Sequence, residues 1–337
     1  MMSKPFFSIL ILFWQSEQYL QRCMRSLQAQ SFQDFEVILL NNGASQAPDP
    51  EILATFLNLA LKQISSETNL GFAGGNNLAA RSASGEYLVL LNNDAFPEPD
   101  WLATLHQAAL THPGHCFASR LLQADNPALL DGEWNVYHAS GLAWRKNHNQ
   151  PTANSTTELR LVMSACAAAS AYPRSAFEQV GGFDEDFFAY MEDLDLDMRL
   201  QLAGYPFLYL PQATVRHVGS GSTGYRSDFA TYYGQRNLIW AFVKNMPGFL
   251  FYLLLPAHIF FNLLYLVAGL FMPSGKALFR AKRDALRGLS AMLKKRDAIQ
   301  SQRKITPIQF AKLMDWNPFS PLVKILARKA SSKDRQD

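Results

Sequence analysis

The sequence has too few cysteines for covalent cross-links to organise the fold. Its 337 residues contain three, Cys23, Cys116 and Cys166, which are far apart and form no C-x-x-C pair. This spacing excludes a disulfide framework and a zinc ribbon, and it fits a protein of the reducing cytoplasm. A composition that is 48% hydrophobic and 18% charged also excludes a disordered or fibrous chain. The length allows one large domain or two modest ones.

Formal charge is absent from one long segment and unbalanced on either side of it. Residues 249–272 contain no Asp, Glu, Lys or Arg. Residues 1–273 hold 15 Lys and Arg against 23 Asp and Glu, a net charge of −8, whereas residues 274–337 hold 16 against 5, a net charge of +11. An apolar segment followed by a basic block indicates an anionic membrane surface as the partner, not nucleic acid. We therefore predict a membrane-associated helical segment at 238–273 and a basic helical tail at 274–337.

The apolar segment is long enough to cross a bilayer once. A single crossing would export the basic tail, against the tendency of Lys and Arg to remain on the cytoplasmic side. Because Pro256 interrupts the segment, we predict a kinked in-plane or re-entrant pair of helices on the cytoplasmic face of the inner membrane. The alternative is a helix buried in the protein core.

No small-residue cleavage pattern follows the apolar run at 6–14, which predicts a first buried strand and not a signal peptide. Helical spacing at 19–29, an apolar run at 35–40, a helix at 51–61 and a short strand at 63–67 continue the alternation. This order is typical of an α/β nucleotide-binding fold. Residues 111–160 are weakly patterned and predict edge structure and loops.

Two stretches indicate a ligand site. The apolar run Tyr87–Leu91 predicts a central strand and ends abruptly at Asn92, Asn93 and Asp94; open parallel sheets bind ligands beyond the carboxyl ends of such strands. Polar residues after a strand also suit an ordinary turn. The preceding stretch at 69–77, N-L-G-F-A-G-G-N-N, predicts a glycine-rich loop whose backbone amides approach a phosphate or a sugar closely.

Carboxylates crowd residues 184–197. Glu192 and Asp195 are three residues apart and Asp193 and Asp197 are four apart, so on a helix like charges would face each other. A position in the first helical turn offsets part of this repulsion, and the remainder predicts a chemical role for at least one carboxylate. His217, which follows at a strand end, is a candidate metal ligand.

Together these pieces resemble the family 2 glycosyltransferases of the GT-A fold, in particular the rhamnosyltransferase-like branch of cell-surface polysaccharide biosynthesis, including lipopolysaccharide. The resemblance covers about residues 6–300. It rests on Asn-Asn-Gly at 41–43, N-x-G-F-A-G-G-N-N at 69–77, L-N-N-D-A at 91–95, G-G-F-D-E at 181–185, E-D-x-D-L at 192–196, His217, and the Arg-Asn pair at 236–237 behind two tyrosines. The expected architecture is a Rossmann-like, mostly parallel sheet flanked by helices at 1–237, with a C-terminal helical membrane-associated extension.

The resemblance implies inverting transfer of a sugar from a nucleotide-diphospho-sugar, dTDP-rhamnose or a UDP-sugar, to a hydroxyl of a lipid-linked or polysaccharide acceptor. It implies that Asp94 and His217 hold a divalent cation, Mg²⁺ or Mn²⁺, on the diphosphate and that Asp193 is the general base. Such a cation shields a departing nucleoside diphosphate, and a carboxylate can remove the acceptor proton. The acceptor-side residues implied are Asp184, Glu185 and Glu192; the donor-side residues are Gln15, Asn41, Asn42, Asn69, Gly71, Gly74, Asn76, Asn77 and Asn93.

The chain departs from the family pattern at four positions. Acidic residues are usual where Asn41 and Asn92 stand and also near Gln46, and an Asn is common where Gln15 stands. A catalytically idle membrane-bound scaffold of the same fold would fit such substitutions. A sugar-nucleotide nucleotidyltransferase is a second alternative, but it predicts a basic loop after the first strand, and residues 13–18 contain no Lys or Arg.

Overall fold

The structure is a computed structural model that describes residues 4–14, 17–56, 58–219, 227–321 and 323. Gln15 lies outside the described residues. Within them, ten strands form one sheet and two more form a separate hairpin. The strands are β1 (Phe7–Phe13), β2 (Phe35–Asn42), β3 (Leu61–Ser66), β4 (Tyr87–Leu91), β5 (Ala95–Pro97), β6 (Cys116–Gln123), β7 (Leu130–Gly132), β8 (Asn135–Tyr137), β9 (Ala143–Arg145), β10 (Arg160–Val162), β11 (Ala169–Pro173) and β12 (Phe207–His217).

Helices cover the sheet and then form a C-terminal group. The α-helices of the described part are α1 (Glu17–Gln28), α2 (Pro50–Ala54), α3 (Gly71–Arg81), α4 (Trp101–Thr111), α5 (Arg174–Gln179), α6 (Glu192–Leu202), α7 (Asp228–Asn245), α8 (Phe249–Gly269), α9 (Gly275–Arg287), α10 (Leu289–Ser301) and α11 (Pro307–Ala311). Short 3₁₀ turns lie at Thr152–Asn154 and Glu185–Phe187.

The sheet brings the ends of sequence-distant strands to one edge. Its order is β10-β12-β6-β11-β4-β1-β2-β3, with β5 beside β12 and β7 beside β6. Strands β3, β2, β1 and β4 pair in parallel, and so do β6 and β12. Because β11 is antiparallel to both β4 and β6, it leaves these two strands pointing the same way. The carboxyl ends of β1, β2, β4, β6 and β12 therefore share an edge, where an α/β sheet binds ligands.

Alternation along the strands builds a core on each face of the sheet. In β1, Phe7, Ile9 and Ile11 pack into one core with α1 and α4, while Leu10 packs into the other. The second core holds residues of α3, α5 and α6. Strands covered on both faces explain the nearly continuous apolar runs in the sequence.

Three local predictions were wrong. The helix expected at 51–61 spans only Pro50–Ala54. Residues 111–160 contain β6, which is an internal strand and not an edge; Ser119 and Arg120 interrupt its apolar run and hid it. The expected glycine-rich loop at 69–77 is largely the first half of α3, which begins at Gly71.

A third core joins the sheet to the C-terminal helices. It contains Leu194 and Met198 of α6, Phe242 of α7, Met292 of α10 and Phe310 of α11, all fully or nearly fully buried. The boundary predicted at 237/238 lies inside α7, which is continuous from residue 228 to 245.

Helix α8 is the apolar segment, and it is one helix. The pair of helices predicted within it is wrong, because the helix runs through Pro256. Pro256 has no backbone N–H, so the carbonyl of Tyr252 loses its helical donor. Both residues lie on the exposed side of α8, so this carbonyl is not left unpaired in the protein interior. Among the described residues only α8 is long and apolar enough to cross a membrane, and just 17% of its most apolar part is buried, so it is not a core helix.

Candidate active site

One side of the site lies where the β4–β5 turn meets strands β7 and β12. Asp94, in the turn between β4 and β5, has Oδ1 3.3 Å from Nε2 of His217 at the end of β12. The other ring nitrogen of His217, Nδ1, lies 2.8 Å from Oδ2 of Asp131 on β7. All three side chains are buried. The imidazole is thus fixed from one side by Asp131 and presents its second nitrogen beside Asp94.

Charge in this cluster is balanced by groups that the sequence did not single out. Burial opposes protonation of His217, but the Asp131 and Asp94 carboxylates outweigh it and raise the pKa of His217 to about 9. Burial also opposes ionisation of Asp131, yet Arg145 and His217 hold the pKa of that carboxyl below its ordinary value. Arg145 Nη1 is hydrogen-bonded to Asp131 Oδ2, and His148 Nδ1 lies 3.7 Å from Oδ1.

The donor atoms of Asp94 and His217 have a spacing that suits a shared cation. Two ligands that bind an ion at right angles at about 2.1 Å lie about 3 Å apart, close to the 3.3 Å seen here. Within the described residues no group of three or more His, Cys, Asp or Glu side chains could hold a metal. An ion at this position would therefore take most of its ligands from a bound diphosphate and water, as Mg²⁺ commonly does.

The other side of the site is Asp193, in the first turn of α6. Its Oδ1 accepts a hydrogen bond of 2.8 Å from the Leu194 amide, and its Oδ2 accepts one of 3.1 Å from Nδ2 of Asn135 on β8. Burial raises the pKa of Asp193, and the Leu194 and Asn135 hydrogen bonds offset this in part. The side chain remains partly exposed.

The β8–β9 hairpin connects the two sides. Asn135 and Arg145 are direct partners across it, and side chains in that relation lie about 5 Å apart on one face. Asn135 bonds Asp193, while Arg145 bonds Asp131. One hairpin therefore sets the distance between Asp193 and the Asp131–His217–Asp94 cluster.

The crowded carboxylates of α6 are separated by their environments. Asp195 is fully buried and accepts hydrogen bonds from Arg199, Lys244 and Asn245. Burial and the neighbouring Asp193 raise the pKa of Glu192 well above its usual value, and Glu192 Oε2 has no hydrogen-bond partner among the described residues. The repulsion expected from the sequence is relieved by cations at Asp195 and by a raised pKa at Glu192, leaving Asp193 as the partly exposed carboxylate.

Asp184 and Glu185, predicted on the acceptor side, bind other parts of the protein. Asp184 Oδ2 lies 2.5 Å from Lys244 Nζ and its Oδ1 2.5 Å from Lys295 Nζ. Burial works against ionisation, but the two lysines lower the pKa of Asp184 to about 2. Glu185 Oε1 accepts a 2.9 Å hydrogen bond from Asn77.

Most of the predicted donor-side residues shape the protein around α3. Asn42 is buried; its Oδ1 accepts from the Leu70 amide and its Nδ2 donates to the Gly71 carbonyl. Asn69 Oδ1 accepts from the Gly71 amide. Asn77 bonds the amide and the carbonyl of Phe183. Asn76 is buried and donates to the Phe72 carbonyl.

The glycines of this stretch allow close approach between protein segments. Gly71 has a φ of +70°, and a Cβ there would lie 2.4 Å from the Phe188 carbonyl oxygen. A Cβ on Gly75 would lie 2.9 Å from Leu12 of β1. On Gly74 it would meet Leu70 and, at 3.7 Å, Glu185. The glycines thus let α3 pack closely against β1 and against the segment that holds Glu185 and Phe188, and the phosphate contact expected from them stays a prediction. Asn41, partly exposed at the end of β2, and Asn93, buried beside Asp94, remain at the sheet edge.

Comparison with known proteins identifies the family. The model of glycosyl transferase family 2 matches residues 8–181. The O-antigen biosynthesis protein RfbC of Myxococcus xanthus is 28% identical over 226 residues, which are 65% of this chain but 18% of RfbC. The N-acetylglucosaminyl-diphospho-decaprenol L-rhamnosyltransferase of Mycobacterium tuberculosis is 27% identical over 231 residues, 61% of this chain and 74% of that protein.

Solved structures agree on the fold. TarS residues 1–349 of S. aureus, solved with UDP-GlcNAc, has a TM-score of 0.52 at 16% identity, with 88% of this chain and 93% of that one aligned. The mannosyltransferase PcManGT of Pyrobaculum calidifontis, solved with GDP-Man and Mn²⁺, has a TM-score of 0.52 at 16% identity, with 89% and 86% aligned. These likenesses confirm the predicted GT-A fold. Since the family model covers just over half of the chain, the protein is a glycosyltransferase and belongs to glycosyl transferase family 2.

Proposed function

We propose that the protein transfers a sugar from a nucleotide-diphospho-sugar to an acceptor hydroxyl with inversion at the anomeric carbon. Asp193 takes the proton of the attacking hydroxyl. Asp94 and His217 would hold a divalent cation, Mg²⁺ or Mn²⁺, which when bound shields the charge that develops on the leaving diphosphate. Asp131 accepts a hydrogen bond from the Nδ1 proton of His217, so that Nε2, after losing its own proton on metal binding, would face the cation.

One observation carries this proposal: the β8–β9 hairpin holds Asp193 and the Asp94–His217–Asp131 cluster on the same side of the molecule through Asn135 and Arg145. A transfer reaction needs the base at the acceptor and the cation at the leaving group, on opposite sides of one anomeric carbon. A raised pKa also makes Asp193 a better base than an exposed Asp.

The donor and acceptor are proposed from the relatives. The M. tuberculosis relative, by its name, adds L-rhamnose to a polyprenyl-diphosphate sugar, and we assign this chain the same classes: dTDP-rhamnose or a UDP-sugar as donor, and a lipid-linked or polysaccharide acceptor of the cell surface. Asn41 and Asn93 are the donor-side residues at the sheet edge. Asp184 and Glu185, which bond other protein groups, serve the acceptor side indirectly by fixing the loop before α6.

The C-terminal helices are proposed to rest on the cytoplasmic face of the inner membrane. The outward stripe of α8 is apolar along its whole length and includes Tyr252, Phe260 and Leu263, and Phe271 follows just after the helix; all four are at least 56% exposed. Such a contiguous apolar face marks an interaction site. The exposed side of α9 adds cations and apolar residues in the mixture that suits an anionic interface: Lys276, Phe279, Arg280, Arg283, Leu286 and Arg287.

The test begins with membranes that carry the protein, a panel of dTDP-, UDP- and GDP-sugars, and a lipid-linked acceptor. Release of nucleoside diphosphate should depend on the acceptor and disappear with a chelator. Asp193→Asn should then lower kcat by about 10²–10⁴ while donor binding stays unchanged, because the amide keeps the shape but takes no proton.

Glu192→Gln is the matched control. Burial raises the pKa of Glu192 well above its usual value, which favours the neutral carboxyl, so the neutral amide should retain most of the turnover. If Asp193→Asn retains more than about a tenth of the wild-type kcat, against the expected loss, Asp193 is not the base.

A further inference from the structure

The segment that leads into Asp193 has an unusual backbone. Phe188, Tyr190 and Met191 have φ values of 63°, 64° and 65°, in the left-handed region that side chains other than glycine rarely adopt. Met191 is the residue immediately before α6. Three such residues within four positions are stable only where contacts with the surrounding structure compensate for the backbone strain. We call residues 186–191 the base loop.

Two consecutive side chains of α7 bind the backbone of the base loop. Asn237 is fully buried, and its Nδ2 lies 2.8, 2.9 and 2.7 Å from the carbonyl oxygens of Phe187, Ala189 and Tyr190. Arg236 Nη2 donates to the carbonyls of Asp186, at 2.7 Å, and Phe187, at 3.2 Å. The Arg236 guanidinium is itself packed 4.1 Å from the Trp240 ring centroid.

The same loop also reaches the donor side of the sheet. The Phe188 carbonyl accepts a 3.1 Å hydrogen bond from the Ala73 amide in the first turn of α3, where Gly71 leaves room for it. The loop is therefore held between α3 and α7, and its last residue sets where α6 begins. Any relaxation of the left-handed residues would rotate the first turn of α6 and move the Asp193 carboxylate.

We infer that Arg236 and Asn237 are positioning residues that hold the base loop in its strained conformation and thereby place the Asp193 carboxylate at the acceptor hydroxyl. This inference rests on the proposed role of Asp193. It gives a purpose to the Arg-Asn pair that follows the two tyrosines, and it makes the C-terminal helices part of the catalytic apparatus.

The test uses the full chain with Asn237→Ala, and Arg236→Lys as a second variant that keeps the positive charge but loses the planar donor group. Displacement of a reacting group by about 1 Å can cost about 10²-fold in rate, so we expect kcat to fall by that order while the affinity for nucleoside diphosphate stays unchanged. Hydrogen exchange should accelerate at the amides of 187–193 and not in β4. Gln235→Ala, at the preceding position of α7 where the side chain bonds Lys282, is the control and should keep its turnover.

A double-mutant cycle separates positioning from general destabilisation. If Asn237 acts through the Asp193 carboxylate, Asn237→Ala should cost little further rate in an Asp193→Asn background. The inference is overturned if both α7 variants keep more than about a third of the wild-type kcat, against the loss expected from displacement, or if the Asn237→Ala loss is undiminished in the Asp193→Asn background. Should Asn237→Ala fail to fold, Arg236→Lys is carried through the same cycle. High turnover of Asp193→Asn alone refutes the proposed base, whereas the exchange and kcat of the α7 variants still report on the loop.

Discussion

The sheet region and the C-terminal helices distribute charge in opposite ways. In the sheet region the apolar strands are inside, and the polar groups collect at the carboxyl edge around Asp94 and Asp193. In the C-terminal helices α8 exposes apolar side chains and α9 exposes cations beside apolar side chains, while Lys244 and Lys282 are buried. The C-terminal helices thus turn two of their lysines toward the protein, and they present hydrocarbon and the other cations of α9 to their surroundings.

The positions of these side chains change the interpretation of the two opposite net charges found in the sequence. The −8 of the first 273 residues and the +11 of the rest indicated a body with a separate membrane-binding tail. Part of the tail's positive charge, however, pairs with carboxylates of the same protein: Lys295 of α10 bonds both Asp184 and Asp186. Helix α10 therefore neutralises one carboxylate just before the base loop and one within it, and only the remaining cations are free for an anionic surface.

The largest expected effect comes from removing the buried cation between the two regions. Lys244→Met leaves Asp184 and Asp195 close together without the ammonium that lies 2.5 and 2.8 Å from them. Breaking one side of a buried ion pair costs about 3–5 kcal/mol of unfolding free energy. Chemical denaturation in mild detergent measures this loss.

Lys295→Met is the matched control, because Lys295 bonds the same Asp184 but has a side chain that is 37% exposed. Partly exposed pairs contribute about 0–1 kcal/mol. Equal losses in the two variants would show that burial of the cation is irrelevant.

Since the lysines lower the pKa of Asp184 from 3.8 to about 2, the stabilisation from this carboxylate is present above pH 3.8 and is lost as the pH falls toward 2.

The second effect concerns metal affinity at the carboxyl edge of the sheet. Asp131→Asn removes the carboxylate that orients His217, and loss of such a partner typically costs about 10–100-fold in metal affinity. Calorimetric titration of Mn²⁺ in the presence of nucleoside diphosphate measures it without turnover. Asp125→Asn, at an exposed position close in sequence, should leave the titration unchanged. Unaltered Mn²⁺ affinity in Asp131→Asn would remove Asp131 and His217 from the metal site.

The smallest effect tests the outward side of the C-terminal helices. Leu263→Asp places a charge on the exposed face of α8. Loss of a Leu side chain that inserts into the bilayer should weaken binding to anionic phospholipid vesicles by about tenfold or more. Leu110→Asp changes an equally exposed Leu, 60% against 56%, on α4 of the sheet region. Vesicle co-sedimentation should distinguish them, and equal binding by both variants would assign the α8 face to another partner.

The sequence predicted the features that depend on local pattern. The first four parallel strands, the edge carrying Asp94 and the apolar helix all follow from runs and periodicity. Asp131, Asn135 and Arg145 escaped prediction because they lie on short strands in a weakly patterned region, and only the pairing of β7 with β6 and of β8 with β9 brings them to the site. No local signal in the sequence specifies that arrangement.

The asparagines show a second limit of prediction. Asn42, Asn69 and Asn77 look like donor-binding residues because amide side chains suit both ligands and backbone. In the structure they bond backbone groups around α3. Whether an Asn beside a glycine meets a ligand or its own chain depends on how closely the helix packs, and that is decided by distant residues such as Leu12 and Phe188.

The hydrogen bonds from α7 to the base loop also imply an order of events during protein synthesis. Asp193 leaves the ribosome before Asn237, and Lys295 follows more than fifty residues later. A nascent chain therefore contains the proposed base well before it contains the side chains that hold the base loop. We expect that sugar transfer begins only once α7 to α10 have been made and folded back, so that a chain becomes active when it already carries the surface proposed to meet the membrane. Arrested nascent chains of increasing length, assayed for transfer, would show activity appearing late and abruptly.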